Sequence, residues 1–253
     1  MSEHAVDAEE YSVMARVESD HWWYRGLRDR VVAELESRVS GDVTILDAGC
    51  GTGGTLVTLE RRFPSARIIG IDASPLAVAY AREKVGGSIV YGSVNALPVS
   101  DSSIDAITSL DVIYHDGVDE KSALNEMVRV LKPDGIAVVN VPAYEWLRSR
   151  HDVAVHTAHR YTTGGFRDKA KTAGFDVISC QYRNSLLFPL MLARRLTQRS
   201  NGHTKSDSAV NLPSLPINYL FGIVLALENG LTRFGVKFPA GGSVFALLVN
   251  RAR

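Results

Sequence analysis

Apolar residues along this chain follow two rhythms. Short, mostly apolar runs read as strands covered on both faces: Val43 to Asp47 (VTILD), Arg67 to Asp72 (RIIGID), Ser88 to Tyr91 (SIVY), Ile104 to Leu110 (IDAITSL) and Ile136 to Val141 (IAVVNV). Between them the spacing turns helical. Two helices are expected between Ala8 and Val39, the second carrying Leu27, Val31, Val32 and Leu35 on one face. Another runs from Gly53 to Arg62 and is closed by Pro64. The next opens at Ser74-Pro75, a good cap followed by a residue suited to the first turn. A further helix, from about Glu120 to Leu131, ends at Lys132-Pro133-Asp134-Gly135. Strands and helices alternating in this way predict a parallel sheet with helices on both sides.

After Pro142 the rhythm changes. A helix is expected from Thr163 to Ala173, a sixth strand from Phe175 to Tyr182, and a seventh only at Ser243 to Asn250 (SVFALLVN). The intervening residues, about 60 of them, exceed what a minimal α/β domain needs. They hold an apolar helix (Leu186 to Leu196), a polar stretch that reads as a mobile loop (Thr197 to Asn211), and a second apolar helix (about Ile217 to Phe234). On that last helix Ile217, Leu220, Phe221, Val224, Leu227 and Leu231 form one stripe, while Ile223 and Leu225 make the other side apolar too. Such a helix must be buried, cover a ligand, or touch lipid or a second subunit. Arg194-Arg195, following an apolar run, would suit an anionic membrane surface or a helix end. A cap over a partly apolar substrate is favoured, ahead of a homodimer interface and of peripheral membrane contact.

Composition narrows the class. At 253 residues, 45% of them apolar, the chain can fill one α/β core with an extra segment. Lys plus Arg and Asp plus Glu number 28 each, so no basic field calls for nucleic acid. Cys50 and Cys180 make no disulfide framework, and the acidic start (MSEHAVDAEE) carries no apolar leader. No run reaches the roughly 18 apolar residues of a membrane span. A cytoplasmic protein is expected.

The densest signal is Ile45-Leu46-Asp47-Ala48-Gly49-Cys50-Gly51-Thr52-Gly53-Gly54. A strand running into glycines and then a helix lets a ligand approach the backbone. Read literally, Gly49-x-Gly51-x-x-Gly54 with Asp72 further on satisfies a dinucleotide fingerprint. Asp47 argues against that reading, because a carboxylate at the strand end repels phosphates. It would instead attract the α-ammonium of S-adenosyl-L-methionine. Asp72 can accept ribose hydroxyls from either cofactor.

ILDAGCGTGG followed by GIDASP resembles the first motif and acidic loop of class I S-adenosylmethionine-dependent methyltransferases. The likeness continues through YGSVNALPVSDSSIDAI, LDVIYH and MVRVLKPDGIAVVNVP. HWWYRGLR, VPAYEWLRSRHD, HRYT and NSLLFPLMLARRL resemble a bacterial small-molecule subgroup, and the likeness covers most of residues 20–196. It implies a doubly wound, mostly parallel seven-stranded α/β sheet (Rossmann-like), with an antiparallel last strand and a helical insertion before it. Residues 1–40 would form an N-terminal helical lid, 41–182 and 243–253 the cofactor-binding domain, and 183–242 a substrate cap. It also implies roles: Gly49 and Gly51 beside the methionine and ribose, Asp47 on the ammonium, Asp72 on the ribose, and Ala73 beside the adenine. Ser93 and Val94 would read the adenine edge, Ser93 standing where many relatives carry Asp. Leu110 would offer its carbonyl, and Tyr24, Arg25 and Arg28 would close over the methionine carboxylate. His21 to Arg28 can equally be an amphipathic helix packed on the sheet.

Methyl transfer is an in-line displacement that positioning and water exclusion accelerate. A base is needed when the acceptor loses its proton early. His115, with Tyr114, follows the fourth strand at the edge where α/β ligands bind, in a position where similar enzymes carry Glu-His. It is a candidate base or a structural cap. His151, His156 and His159 lack the spacing of a closed metal site, and no metal is expected. Together with Arg160-Tyr161 they would line a substrate mouth or form a solvated loop. Cys50 is a small filler in the loop. The reading is a methyltransferase for a small, partly apolar acceptor, with O-transfer slightly ahead of C- or N-transfer. The alternatives are another reaction on the same cofactor, such as cyclisation or alkyl transfer, or a non-catalytic binding or scaffold protein.

Overall fold

The computed structural model describes residues 8–148, 152, 156–193 and 212–251. Arg194-Arg195, His151 and the expected loop from Thr197 to Asn211 lie outside the described residues. The helices are α1 (Ala8–Val17), α2 (Trp22–Glu36), α3 (Gly54–Arg62), α4 (Pro75–Lys84), α5 (Glu120–Val130), α6 (Thr163–Thr172) and α7 (Leu215–Arg233). The strands are β1 (Thr44–Ala48), β2 (Arg67–Asp72), β3 (Ser88–Tyr91), β4 (Ile104–Leu110), β5 (Leu131–Pro142), β6 (Asp176–Arg183) and β7 (Ser243–Val249).

They form one seven-stranded sheet in the order β3-β2-β1-β4-β5-β7-β6. β7 runs antiparallel to both β5 and β6, and the other pairings are parallel. Strand order reverses between β1 and β4, and this is where an open α/β sheet leaves a crevice at its carboxyl edge. β5 begins earlier than its apolar run. Leu131 already pairs with Ile104, and the register shifts across the turn before Ile136 meets Ala106.

Each face of the sheet is sealed by its own helices. On one side Leu27, Val31 and Leu35 of α2 and Leu56 and Leu59 of α3 meet Ile45, Val138 and Phe245. On the other, Leu124 and Met127 of α5 and Phe166 of α6 meet Leu46, Ile107 and Val139. Val31 and Leu35 are fully buried, so each holds α2 in place with about 1.5–3 kcal/mol.

Helix α7 lies beside α2 and is held by polar contacts. The Asn218 side chain accepts from Trp22 N (2.9 Å) and donates to the Asp20 carbonyl (2.9 Å), and Asn229 donates to the Gly26 carbonyl (2.9 Å). A Cβ at Gly26 would lie 2.6 Å from Leu225 Cδ1, so glycine permits this close approach.

Candidate active site

Three glycines with positive φ, Gly49 (85°), Gly51 (53°) and Gly53 (90°), turn the chain from β1 into α3. Gly49 N and Cys50 N donate to the Ile71 carbonyl at 2.8 and 3.0 Å, which ties the loop to the end of β2. Asp72 then reaches across. Its Oδ2 accepts from Gly51 N at 2.8 Å and its Oδ1 from Ser74 N at 2.9 Å. Asp47, at the end of β1, accepts from Thr108 Oγ1 of β4 at 2.6 Å. Both carboxylates are buried. Burial pushes Asp47 up to about 7 against the Thr108 hydrogen bond, with Asp72 and Glu18 adding to the rise. Burial also raises Asp72, opposed by its backbone donors. Among the described residues neither forms an ion pair with Lys or Arg.

Helix α1 lies over this loop. A Cβ on Gly51 would stand 3.2 Å from Met14 Cε. Glu18 Oε2 accepts from Gly54 N at 3.2 Å, at the start of α3, and its other oxygen pairs with Lys84 of α4. Tyr11 is pushed up to about 12 by burial and by the nearby Asp72. Nothing in the sequence singled out Tyr11, Met14 or Glu18. Tyr11 and Met14 sit in an ordinary amphipathic helix and Glu18 just past its end, and all three acquire meaning only from where α1 docks.

The other expected site residues are distributed as follows. Ala73 is exposed beside Asp72, Val94 is buried, and Ser93 Oγ accepts from Asn95 N at 3.2 Å. Leu110 closes β4, half-buried. Arg28 is buried and donates to the Glu18 carbonyl at 2.7 Å, whereas Arg25 is exposed. Burial and the charges of Glu18 and Asp111 raise Tyr24 well above its ordinary value.

Beyond β4 the backbone turns at Asp111 (φ 60°), whose carboxylate accepts from Asn140 Nδ2 at 3.0 Å through each oxygen. Burial raises Asp111 to about 7 despite the Asn140 hydrogen bond. His115 Nε2 lies 3.0 Å from the Asp111 carbonyl. A carbonyl only accepts, so that contact places a hydrogen on Nε2. The His115 ring lies against Tyr114, which is itself buried.

Tyr161 belongs to a separate cluster. Its hydroxyl donates to Glu120 and lies 2.6 Å from His159 Nε2, while Lys169 and His159 each reach Glu120 at 2.7 Å. Burial raises Glu120, but hydrogen bonds from His159, Lys169 and Tyr161 more than reverse this and bring it to about 2. Arg160 pairs with the buried Asp152 at 2.7 Å, and the His156 carbonyl accepts from Asp116 N.

The residues present suit S-adenosylmethionine. Asp47 and Asp72 are buried without an ion pair, and Thr52 Oγ1 and Ser109 Oγ are buried without a hydrogen-bond partner, among the described residues. Nothing in this arrangement favours a pyrophosphate.

Comparison with known proteins agrees. Residues 46–139 match the methyltransferase domain family. Over 163 residues the chain is 32% identical to a tRNA (carboxymethyluridine(34)-5-O)-methyltransferase of Arabidopsis thaliana, covering 64% of this chain and 38% of that protein. It is 28% identical to a probable S-adenosylmethionine-dependent methyltransferase of Mycolicibacterium smegmatis, covering 66% of this chain and 64% of that one. The chain thus spans less than two thirds of either relative. Among solved structures, the [4+2]-cyclase SpnF superposes with a TM-score of 0.59 at 21% identity, over 89% of this chain and 81% of that one.

Proposed function

We propose that the chain is a class I S-adenosylmethionine-dependent methyltransferase and that it methylates a small, partly apolar acceptor, with an oxygen atom favoured as the acceptor site. The observation that carries the reading is the pair Asp47 and Asp72, buried at adjacent strand ends on either side of a glycine turn. Asp47 holds the α-ammonium and Asp72 the ribose hydroxyls. Gly49 and Gly51 line the chain between them, Ala73 and Val94 flank the adenine, and Ser93 meets its edge. The cofactor, when bound, supplies a methyl group on a cationic sulfonium. Tyr24 and α1 exclude water above it. His115, held by the Asp111 carbonyl, takes the acceptor proton. Residues 183–193 and 212–242 border the acceptor side.

Calorimetry tests the site. S-adenosylmethionine or S-adenosylhomocysteine binds and NAD does not, and Asp72→Ala loses at least about 1.5 kcal/mol of that binding. Equal binding by the wild type and Asp72→Ala removes the assignment. His115→Ala keeps cofactor affinity but loses roughly 10²–10⁴ in turnover. If turnover stays within a few-fold, His115 is a cap and positioning alone drives the reaction. A second reading, cyclisation on the same scaffold, draws on the likeness to SpnF. Product analysis by mass spectrometry separates the two, because a cyclase leaves the cofactor unconsumed.

A further inference from the structure

Helix α7 turns much of its polar side inward. Its buried side carries Asn218 and Glu228 together with Leu225, and Asn229 and Thr232 are half-buried beside them. Its outward side carries Leu215, Leu220, Ile223, Leu227 and, just past its end, Phe234, between 50% and 91% exposed. At 100° per residue these five fall within less than half of the helix circumference and form one continuous strip. The inward polar groups are satisfied. Glu228 alone accepts from Asn184 N, Ser185 N and Leu186 N at 2.6, 2.7 and 2.9 Å. The orientation is therefore specified by hydrogen bonds, and the apolar strip is held outward by design of the fold.

Within residues 212–251 the exposed charge has one sign. Glu228 is the only acidic residue between positions 212 and 251, and it is 1% exposed. Arg233 and Lys237, at the end of the helix, are both exposed. This segment therefore offers no exposed carboxylate to the same segment of a second copy, whereas an anionic headgroup layer offers many anions to both cations. By length and composition alone the helix could cross a membrane. Its side-chain bonds to the α2 backbone and to the loop after β6 nevertheless pin it along the domain, so it lies on a surface and does not cross it.

We propose that the outward face of α7 docks the protein on a bilayer bearing anionic lipids, with the Leu/Ile/Phe strip at the acyl boundary and Arg233 and Lys237 among the headgroups. This goes beyond methyl transfer and holds whichever acceptor is used. The test is flotation of the full chain with vesicles of phosphatidylcholine alone or with about one third phosphatidylglycerol. The protein is expected to float with the anionic vesicles, and added salt weakens the binding. Ile223→Glu with Leu227→Glu abolishes it. Arg233→Gln with Lys237→Gln weakens it about 10- to 30-fold, at about fivefold per cation with some coupling. Calorimetry with S-adenosylhomocysteine on the same variants checks that the fold is intact and reports on the cofactor site separately. The proposal is overturned if the wild type stays with the unbound fraction or if the apolar double variant floats unchanged. It is also overturned if light scattering finds a dimer that Ile223→Glu dissociates while vesicles go unbound.

Discussion

Three buried carboxylates contrast the cofactor edge with the α7 side of the molecule. Asp47 accepts one side-chain hydrogen bond, from Thr108, and its pKa is driven up to about 7. Asp72 accepts two backbone N–H bonds and is still raised. Glu228, as deeply buried, accepts three backbone amides, with the Arg183 guanidinium buried nearby and attracted to it. Burial costs a carboxylate the same solvation in each place, and the donors around it decide what it is for. An under-satisfied carboxylate at a strand end keeps lone pairs that a ligand can use. A fully satisfied one is a structural tie.

The contrast predicts its own largest effect at Glu228. Glu228→Ala leaves three amides and the Arg183 charge unanswered and is expected to destabilise the fold by about 3–5 kcal/mol, read by chemical denaturation. A loss near zero would place Glu228 with the binding carboxylates.

Next in size is the pH response of Asp47. A ligand ammonium favours the ionised carboxylate, so affinity for S-adenosylmethionine rises by up to about tenfold per pH unit below about pH 7 and levels off above it. For the ligand-free fold the sign reverses. Between about pH 4 and 7 Asp47 is protonated when folded and ionised when unfolded, so its contribution lowers stability as pH rises through that window. Asp47→Asn should flatten both profiles, as seen by calorimetry and by thermal melts, leaving the smaller share from Asp72. The smallest effect is expected on the outward strip. Leu220→Ser should change stability by no more than about 0.5 kcal/mol, because the side chain is 55% exposed. A loss of several kcal/mol would mean that the strip is covered within the chain itself.

Most of the sheet was legible because its signals are local. VTILD, RIIGID and SVFALLVN are apolar runs that can sit only inside a sheet, and the glycine turn states its own backbone geometry. The site is a different matter. Glu18 meets Gly54 and Lys84 across 36 and 66 residues, and Asn218 meets Trp22 across 196. No periodicity encodes such meetings. Arg28 looked free to clasp a carboxylate, yet its guanidinium is held by the Glu18 carbonyl. Tyr161 looked like part of a substrate mouth, yet its hydroxyl is engaged by Glu120 and His159. Neither contact is announced by the local sequence pattern.

By itself, then, the sequence determined the order of strands and helices, the glycine turn, and the two acids at the ends of β1 and β2. Hydrophobic period and backbone sterics act over a few residues and leave little choice there. Only the tertiary structure decided that α1 covers the loop, that α7 faces its polar side inward, and which carboxylates are satisfied. Those outcomes depend on which donors arrive beside a buried group from distant parts of the chain. A greasy helix reads the same in sequence whether its leucines point into the core or out of it. Here the hydrogen bonds of Asn218, Glu228 and Asn229 settle the direction, because leaving those groups buried and unpaired would cost more than leaving the leucines in water.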